Sequence, residues 1–180
     1  MHAPARRPLA EKGLSVMSRS ASPLADPRRY VYWTDDRLRF GDLDSLGHAN
    51  NNAFGVFFES GRVALFEDVL GGPLGTLTEL SVVIARISID FLAELHYPAP
   101  HLRIGTRISR FGRTSVDIEA ALFKGDPAAG LCVATSQSVC VLFDPRTRRP
   151  APVPASLQHA IERLAGPAEL PASLAATASA

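Results

Sequence analysis

"DLDSLGHANNNAFGVFFESGRVALFEDVL", Asp42 to Leu70, joins two unlike kinds of sequence. Its first part holds two carboxylates, a histidine and three consecutive asparagines. Its second part, from Ala53 on, is apolar nearly all round, with charges only at Glu59, Arg62, Glu67 and Asp68. A helix that is apolar on most faces is a buried one. The stretch therefore predicts a long central helix over 53–70, with polar chemistry packed against its start. Gly61 in mid-helix costs about 1 kcal/mol against alanine, and close packing on a sheet is the reason the pattern suggests for it. "GGPLG", Gly71 to Gly75, ends the helix with turn residues.

Strands flank this helix. "RYVYWTDDRLRF" alternates as a first strand that ends near Phe40. After the helix come "SVVIARISIDFL", "HLRIGTRISRFG", "TSVDIEAALFKG" and "LCVATSQSVCVLFD". Turn residues in "YPAP", "FGRT" and "GDPAAG" separate them. Alternation puts Leu102, Ile104, Thr106 and Ile108 on one face of the second of these, and Val116, Ile118, Ala120 and Leu122 inward on the third. "PRTRRPAPVP" reads as a linker into a short helix, "PASLQHAIERLAG", that ends at Gly166. Strand, long helix, four strands and a short helix make an α+β fold with a mainly antiparallel sheet. One sheet wrapped round one apolar helix is the simplest way to bury it.

The chain has 180 residues, 46% of them hydrophobic and 21% charged, as in a soluble globular domain. A formal net charge of +1 gives no global field for nucleic acid or an anionic membrane. No apolar run approaches the roughly 20 residues needed to span a bilayer. Composition divides the chain into a disordered leader over 1–28, a domain over 29–165 and a flexible tail over 166–180. Met17 is an alternative start within the leader. Cys132 and Cys140 share one strand at a separation of about 26 Å, beyond disulfide reach within one chain. They read as core or interface residues in a reducing, cytoplasmic compartment.

The element order and the loop together resemble the hot-dog-fold acyl-CoA thioesterases of the 4-hydroxybenzoyl-CoA thioesterase type. That family carries Asp-x-Asp-x-x-Gly-His-x-Asn-Asn before its central helix and Glu-x-x-Arg within it. Here those positions read "DLDSLGHANN", Asp42 to Asn51, and "ESGR", Glu59 to Arg62. The resemblance continues through "ISIDFLAELHYPAPHLRIGT" and "RFGRTSVDIEAALF" and covers roughly residues 30–164. It implies that Asp44 is the catalytic carboxylate, acting as general base on water or as nucleophile on the thioester carbonyl.

The residues agree with that assignment. A thioester needs a nucleophile and a place for the developing oxyanion. Unpaired N–H groups at a helix start, with the positive end of the helix dipole, form such a place. The N–H groups of Asn51 and Asn52 are the candidates. Asp42 reads as a turn or capping residue and Gly47 as a tight-turn glycine. His48 either orients Asp44 or water or makes a structural hydrogen bond. Asn50, Asn51 and Asn52 are helix-capping types, and Asn51 is also a candidate to hold the attacking water. Glu59 and Arg62 form an i,i+3 pair, and Glu59 is the second-choice acid/base.

For the coenzyme A phosphates, Arg103, Arg107, Arg110 and Arg113 cluster on two strands and their turn. In the family the turn matching "RFGRTS" lies near the pantetheine and nucleotide. This points to Arg110 and Arg113, with Thr114 and Ser115 beside them, against a solvated edge as the plain alternative.

Other chemistries fail on spacing. Asp42-x-Asp44-x-x-Gly47 begins like an EF-hand loop, but its twelfth position is Ala53 rather than glutamate. His48, His96, His101 and His159 lack zinc-ligand spacing, so no metal and no separate cofactor is expected; coenzyme A is part of the substrate. Two rival readings survive: a hot-dog hydratase or dehydratase, and a non-catalytic acyl-CoA-binding domain. A single sheet leaves exposed edges, and the resemblance implies sheets paired edge to edge, as a homodimer or homotetramer with the active site between subunits. Phe54, Phe57 and Phe58 are either acyl-pocket or core residues.

Overall fold

The computed structural model describes residues 22–72 and 80–165. Its four long strands follow the alternation closely, but the first strand stops at Asp36 rather than near Phe40, where residues 40–42 form a 3₁₀ turn instead. The strands are β1 (Tyr32–Asp36), β2 (Ser81–Phe91), β3 (Leu102–Phe111), β4 (Ser115–Lys124), β5 (Leu131–Asp144) and a short β6 (Arg149–Pro150). The helices are α1 (Asn51–Leu70) and α2 (Ala155–Ala165). The strands form one antiparallel sheet in the order β1-β3-β4-β5-β2, with β6 paired to the end of β5. This curled sheet around a long helix is the hot-dog fold that the resemblance implies.

The inward face of the sheet is the alternating set. Leu102, Ile104, Thr106 and Ile108 of β3 and Val116, Ile118, Ala120 and Leu122 of β4 are all buried. They meet a stripe of α1 made of Ala53, Phe54, Phe57, Phe58, Leu65 and Phe66. Helical spacing of 3–4 residues gathers these side chains on one face. Gly61 belongs to that stripe, where an added Cβ would lie 2.8 Å from Ile104 Cγ2 and 3.0 Å from Thr106 Oγ1. Helix and sheet therefore approach closely there, as the sequence suggests. The C-terminal half of α1 is closed by Leu157 and Ile161 of α2.

Three further expectations change in detail, while Gly71 ends the helix as its sequence suggests. The helix starts at Asn51 rather than Ala53, because Asn50 caps it: its side chain accepts the Asn52 N–H. The helix is not buried all round, since one sheet covers one face; Val56, Glu59 and Ser60 are exposed. At its end Gly71 adopts a left-handed φ of 79° and donates to the Glu67 carbonyl, while residues 73–75 of the terminating turn lie outside the described residues. The linker holds β6, whose return turn is organised by Asp144 Oδ1 accepting from Arg146 and Thr147 N–H.

Part of the stretch that composition assigns to the leader is folded. Residues 23–25 and 27–29 form two 3₁₀ turns capped by Ser22 and Asp26. Leu24 is buried and its carbonyl accepts the Tyr30 hydroxyl at 2.6 Å. Residues 1–21 and the tail over 166–180 lie outside the described residues.

Among the described residues, strand β2 pairs on one side only, with β5. Val83, Ile84, Ile87 and Phe91 on it are each 42–45% exposed, a concentration of large apolar side chains along one sheet edge. No helix among the described residues is long and apolar enough to cross a membrane.

Candidate active site

The loop before α1 is built on the backbone. Asp44 N–H donates to the His48 carbonyl at 2.8 Å, and Gly47 N–H to the Asp44 carbonyl at 3.2 Å. Gly47 takes a φ of 82°, which L side chains rarely adopt. The Asp44 side chain closes the same turn, with Oδ1 accepting from Leu46 N–H at 2.8 Å and His48 N–H at 3.1 Å. Asp42 has the structural duty its sequence context suggests. Its Oδ2 accepts the Arg39 N–H at 2.8 Å, and its carbonyl accepts the Asn50 N–H.

These amides set the charge of Asp44. The Leu46 N–H, and then the His48 N–H, stabilise the carboxylate and hold its pKa below the ordinary carboxylate value, against a partial desolvation that works the other way. Asp44 is thus an anion throughout the physiological range.

Next along the chain is the helix start. Asn52 N–H is taken by Asn50 Oδ1 at 2.9 Å, and Ala53 N–H by the Asn50 carbonyl at 2.9 Å. Asn51 N–H has no acceptor among the described residues. The oxyanion candidates therefore narrow from two amides to that of Asn51.

Asp44, His48, Asn51, Phe54, Phe91 and Glu94 line an open pocket of about 300 Å³. Its apolar wall is an edge-to-face pair, Phe54 against Phe91 at 5.1 Å between ring centres. Phe57 and Phe58 are 0% and 1% exposed, so they are core. Of the three phenylalanines, only Phe54 reaches the pocket.

Some expected members stand elsewhere. Glu59 is on the exposed side of α1, outside this pocket, and no ion pair joins it to Arg62 among the described residues. Arg62 is buried, and burial lowers its guanidinium pKa. The i,i+3 spacing put the two on neighbouring positions; the sheet beneath claims one of them. Arg110 is held by Asp117 at 2.7 Å, Arg107 by Glu119 at 3.0 Å and Arg103 by Asp35 at 2.8 Å. Arg113 is exposed and without an ion-pair partner among the described residues. Thr114 and Ser115 shape the turn through their carbonyls, which accept from Leu142 and Gly112 N–H.

Two further residues meet the site: His96, which sequence spacing set aside, and Glu94, which no sequence pattern singled out. Glu94 lines the pocket, and His96 lies against His48, ring centres 4.5 Å apart and nearly perpendicular. The reason is an isolated antiparallel bridge, His48 to His96, beside a hydrogen bond from Ala49 N–H to the Leu95 carbonyl at 2.7 Å. The dispersal of histidines along the chain therefore does not keep them apart. Only a pairing of the loop with the segment after β2 signals the contact, and no local pattern carries it.

Residues 38–161, most of the chain, match the family described as the thioesterase-like superfamily. The chain belongs to that superfamily. Solved structures agree with the assignment. A thioesterase-superfamily protein from a Jannaschia species is 27% identical, with a TM-score of 0.69, covering 78% of this chain and 87% of its own. A Thermus thermophilus thioesterase, complexed with coenzyme A and Zn, is 27% identical at a TM-score of 0.65, covering 75% and 94%. A Pseudomonas aeruginosa protein is 26% identical at a TM-score of 0.68, covering 77% and 94%. No match was found among curated proteins. Within the thioesterase-like chain, the matched segment takes in the whole loop, α1 and the four long strands.

Proposed function

We propose that this thioesterase-like protein hydrolyses an acyl-CoA thioester to the free acid and coenzyme A. The observation that carries the reading is the pairing of an ionised Asp44 with the unoccupied Asn51 N–H across one small, partly apolar pocket. The carboxylate acts as general base on water or attacks the carbonyl carbon itself. The Asn51 N–H and the α1 dipole receive the charge that develops on the thioester oxygen. Asn51 lines the same pocket, and in this reading its side chain holds the attacking water. Phe54 and Phe91 give the acyl group an apolar wall. Hydrolysis of this kind draws on water and protein groups, with coenzyme A as part of the substrate.

The proposal includes a second subunit, and hence a homodimer or a tetramer built from it. Within one chain, the Arg113 turn and Asp44 lie at opposite ends of the sheet. Ser115 pairs with Val141 and Val141 with Val83, whereas Phe91 beside the pocket pairs with Ala134. Eight residues of strand separate Val83 from Phe91, or about 27 Å. A two-fold axis at the β2 edge pairs two such strands antiparallel and brings the partner's turn toward the Asp44 end. The apolar β2 edge, unpaired among the described residues, supports that geometry. Of Arg103, Arg107, Arg110 and Arg113, Arg113 alone has no ion-pair partner among the described residues, and in this reading it takes a coenzyme A phosphate. Free cysteines fit a cytoplasmic setting.

Purified protein assayed against a panel of acyl-CoAs, with Asp44→Asn and Asp44→Ala alongside, tests the reading. Hydrolysis by the wild type that is abolished in both variants is expected. Undiminished hydrolysis in the variants would remove Asp44 from the reaction. Binding without turnover by the wild type would make this an acyl-CoA-binding domain.

A further inference from the structure

His48, Glu94 and His96 lie close together although the chain separates His48 from the other two by the whole of α1 and β2. Their ligand atoms all fall within 4.8 Å of one another. His96 Nε2 is already 3.0 Å from Glu94 Oε2. The backbones are fixed by the His48–His96 bridge and by the Ala49 N–H to Leu95 carbonyl bond. We infer that these three side chains form a binding site for one zinc-class divalent cation.

The donor set decides the class of ion. Two imidazoles and one carboxylate suit zinc, cobalt or nickel, whereas magnesium and calcium favour all-oxygen shells. Tetrahedral zinc with ligands at about 2.0–2.2 Å places those ligand atoms about 3.3 Å from one another. The Glu94–His96 pair is already near that separation. The remaining contraction needs only side-chain rotation, because Glu94 and His96 are exposed and displace no core residue as they turn. The backbone bridge brings the His48 ring beside this Glu94–His96 pair, 4.5 Å from the His96 ring and nearly perpendicular to it. Three protein donors leave a coordination position open for water or another small ligand. His48 and Glu94 also line the pocket that holds Asp44.

The test is direct and does not depend on any catalytic activity. Full-length protein stripped with chelator is titrated with Zn²⁺ against a chromophoric competitor, and with Co²⁺ for its visible spectrum. One equivalent per chain is expected, with the strong visible bands of a four- or five-coordinate cobalt site. His96→Gln and Glu94→Gln, both at exposed positions, each weaken binding by at least about 10-fold and diminish those bands. His101→Gln and His159→Gln leave both unchanged. Circular dichroism of each variant checks that the fold is kept. No stoichiometric binding by the wild type overturns the inference. So does binding that persists undiminished in the folded Glu94→Gln/His96→Gln double variant, or equal competition by millimolar Mg²⁺.

Discussion

Asp44 and His48 hold each other twice, once backbone to backbone and once through the carboxylate: Asp44 N–H donates to the His48 carbonyl at 2.8 Å, and His48 N–H donates to Asp44 Oδ1 at 3.1 Å. The carboxylate thus has both a structural and a chemical duty, and substitution can separate them. Asparagine keeps a carbonyl oxygen able to accept from Leu46 and His48 but lacks the charge. Asp44→Asn is expected to retain the wild-type melting temperature within a few degrees and to lose at least about 100-fold in kcat/KM. Asp44→Ala is expected to lose the same activity and to melt lower. Thermal melts and steady-state rates on the same preparations check both arms. An active Asp44→Asn would leave Asp44 with the structural duty alone.

The pH dependence follows from the same amides. The folded-state pKa of Asp44 lies below the ordinary value of 3.8, first because of the Leu46 N–H. A lowered carboxylate pKa stabilises the fold above 3.8 and loses that contribution as pH falls through the lowered value. Activity that needs the carboxylate is expected to stay level from neutral pH down into the acid range and to fall only below 3.8. A pH profile of kcat/KM, taken with a fluorescence check of folding, measures this. An acid limb centred near about pH 6.5 would identify a histidine as the essential base instead.

Much of this was legible in the sequence, and the residues show why. Period-two alternation placed Leu102 to Ile108 and Val116 to Leu122 on the buried face, because that pattern is local and one face of the sheet is covered. Gly61 announced close packing because a mid-helix glycine costs stability unless something needs the space. The strand edges were harder. Val83, Ile84, Ile87 and Phe91 look like core residues in sequence, yet they stand exposed at the edge, since hydrophobicity does not say which chain covers it. Glu59 and Arg62 looked like a pair because they are one helical turn apart, but burial is decided by the sheet and divides them. The meeting of His48 with His96 depends on one isolated bridge, which leaves no periodic trace.

Gly61→Ala tests the helix–sheet contact. Alanine raises helix propensity by about 1 kcal/mol, but its Cβ would lie 2.8 Å from Ile104 Cγ2. Overpacking of that kind costs about 1–3 kcal/mol, so the steric loss wins. The variant is expected to melt below the wild type, and relief by the second-site change Ile104→Ala, which removes the Cγ2 methyl, in a double-mutant cycle would locate the clash. A more stable Gly61→Ala would mean that helix and sheet stand farther apart.

Arg113→Ala tests the cation for coenzyme A. Arg110 is engaged with Asp117, and Arg113 is exposed without an ion-pair partner among the described residues. Losing a charge-assisted contact of about 1.5–3 kcal/mol is expected to raise KM for acyl-CoA roughly 10-fold or more, with kcat little changed. The corresponding acyl-pantetheine, which lacks the nucleotide phosphates, should be indifferent to the substitution. Equal effects on both substrates would move the contact away from the phosphates.

Ile87→Lys tests whether the exposed β2 edge is where a second copy sits. Ile87 is 42% exposed in the single chain, so lysine is tolerated by an isolated fold. At a paired edge the same lysine meets its own symmetry mate or an apolar neighbour, and like charges or an unpaired buried ammonium oppose association. The wild type is expected to sediment as a dimer or tetramer, and Ile87→Lys to shift toward monomer at micromolar concentration. Because Arg113 and Asp44 of one chain lie at opposite ends of the sheet, the monomer should also lose hydrolysis of acyl-CoA while keeping its circular dichroism spectrum. Analytical ultracentrifugation with an activity assay on the same samples reads both. A wild type that is monomeric and fully active would require one chain to complete its own site, and the two-fold arrangement at β2 would have to be given up.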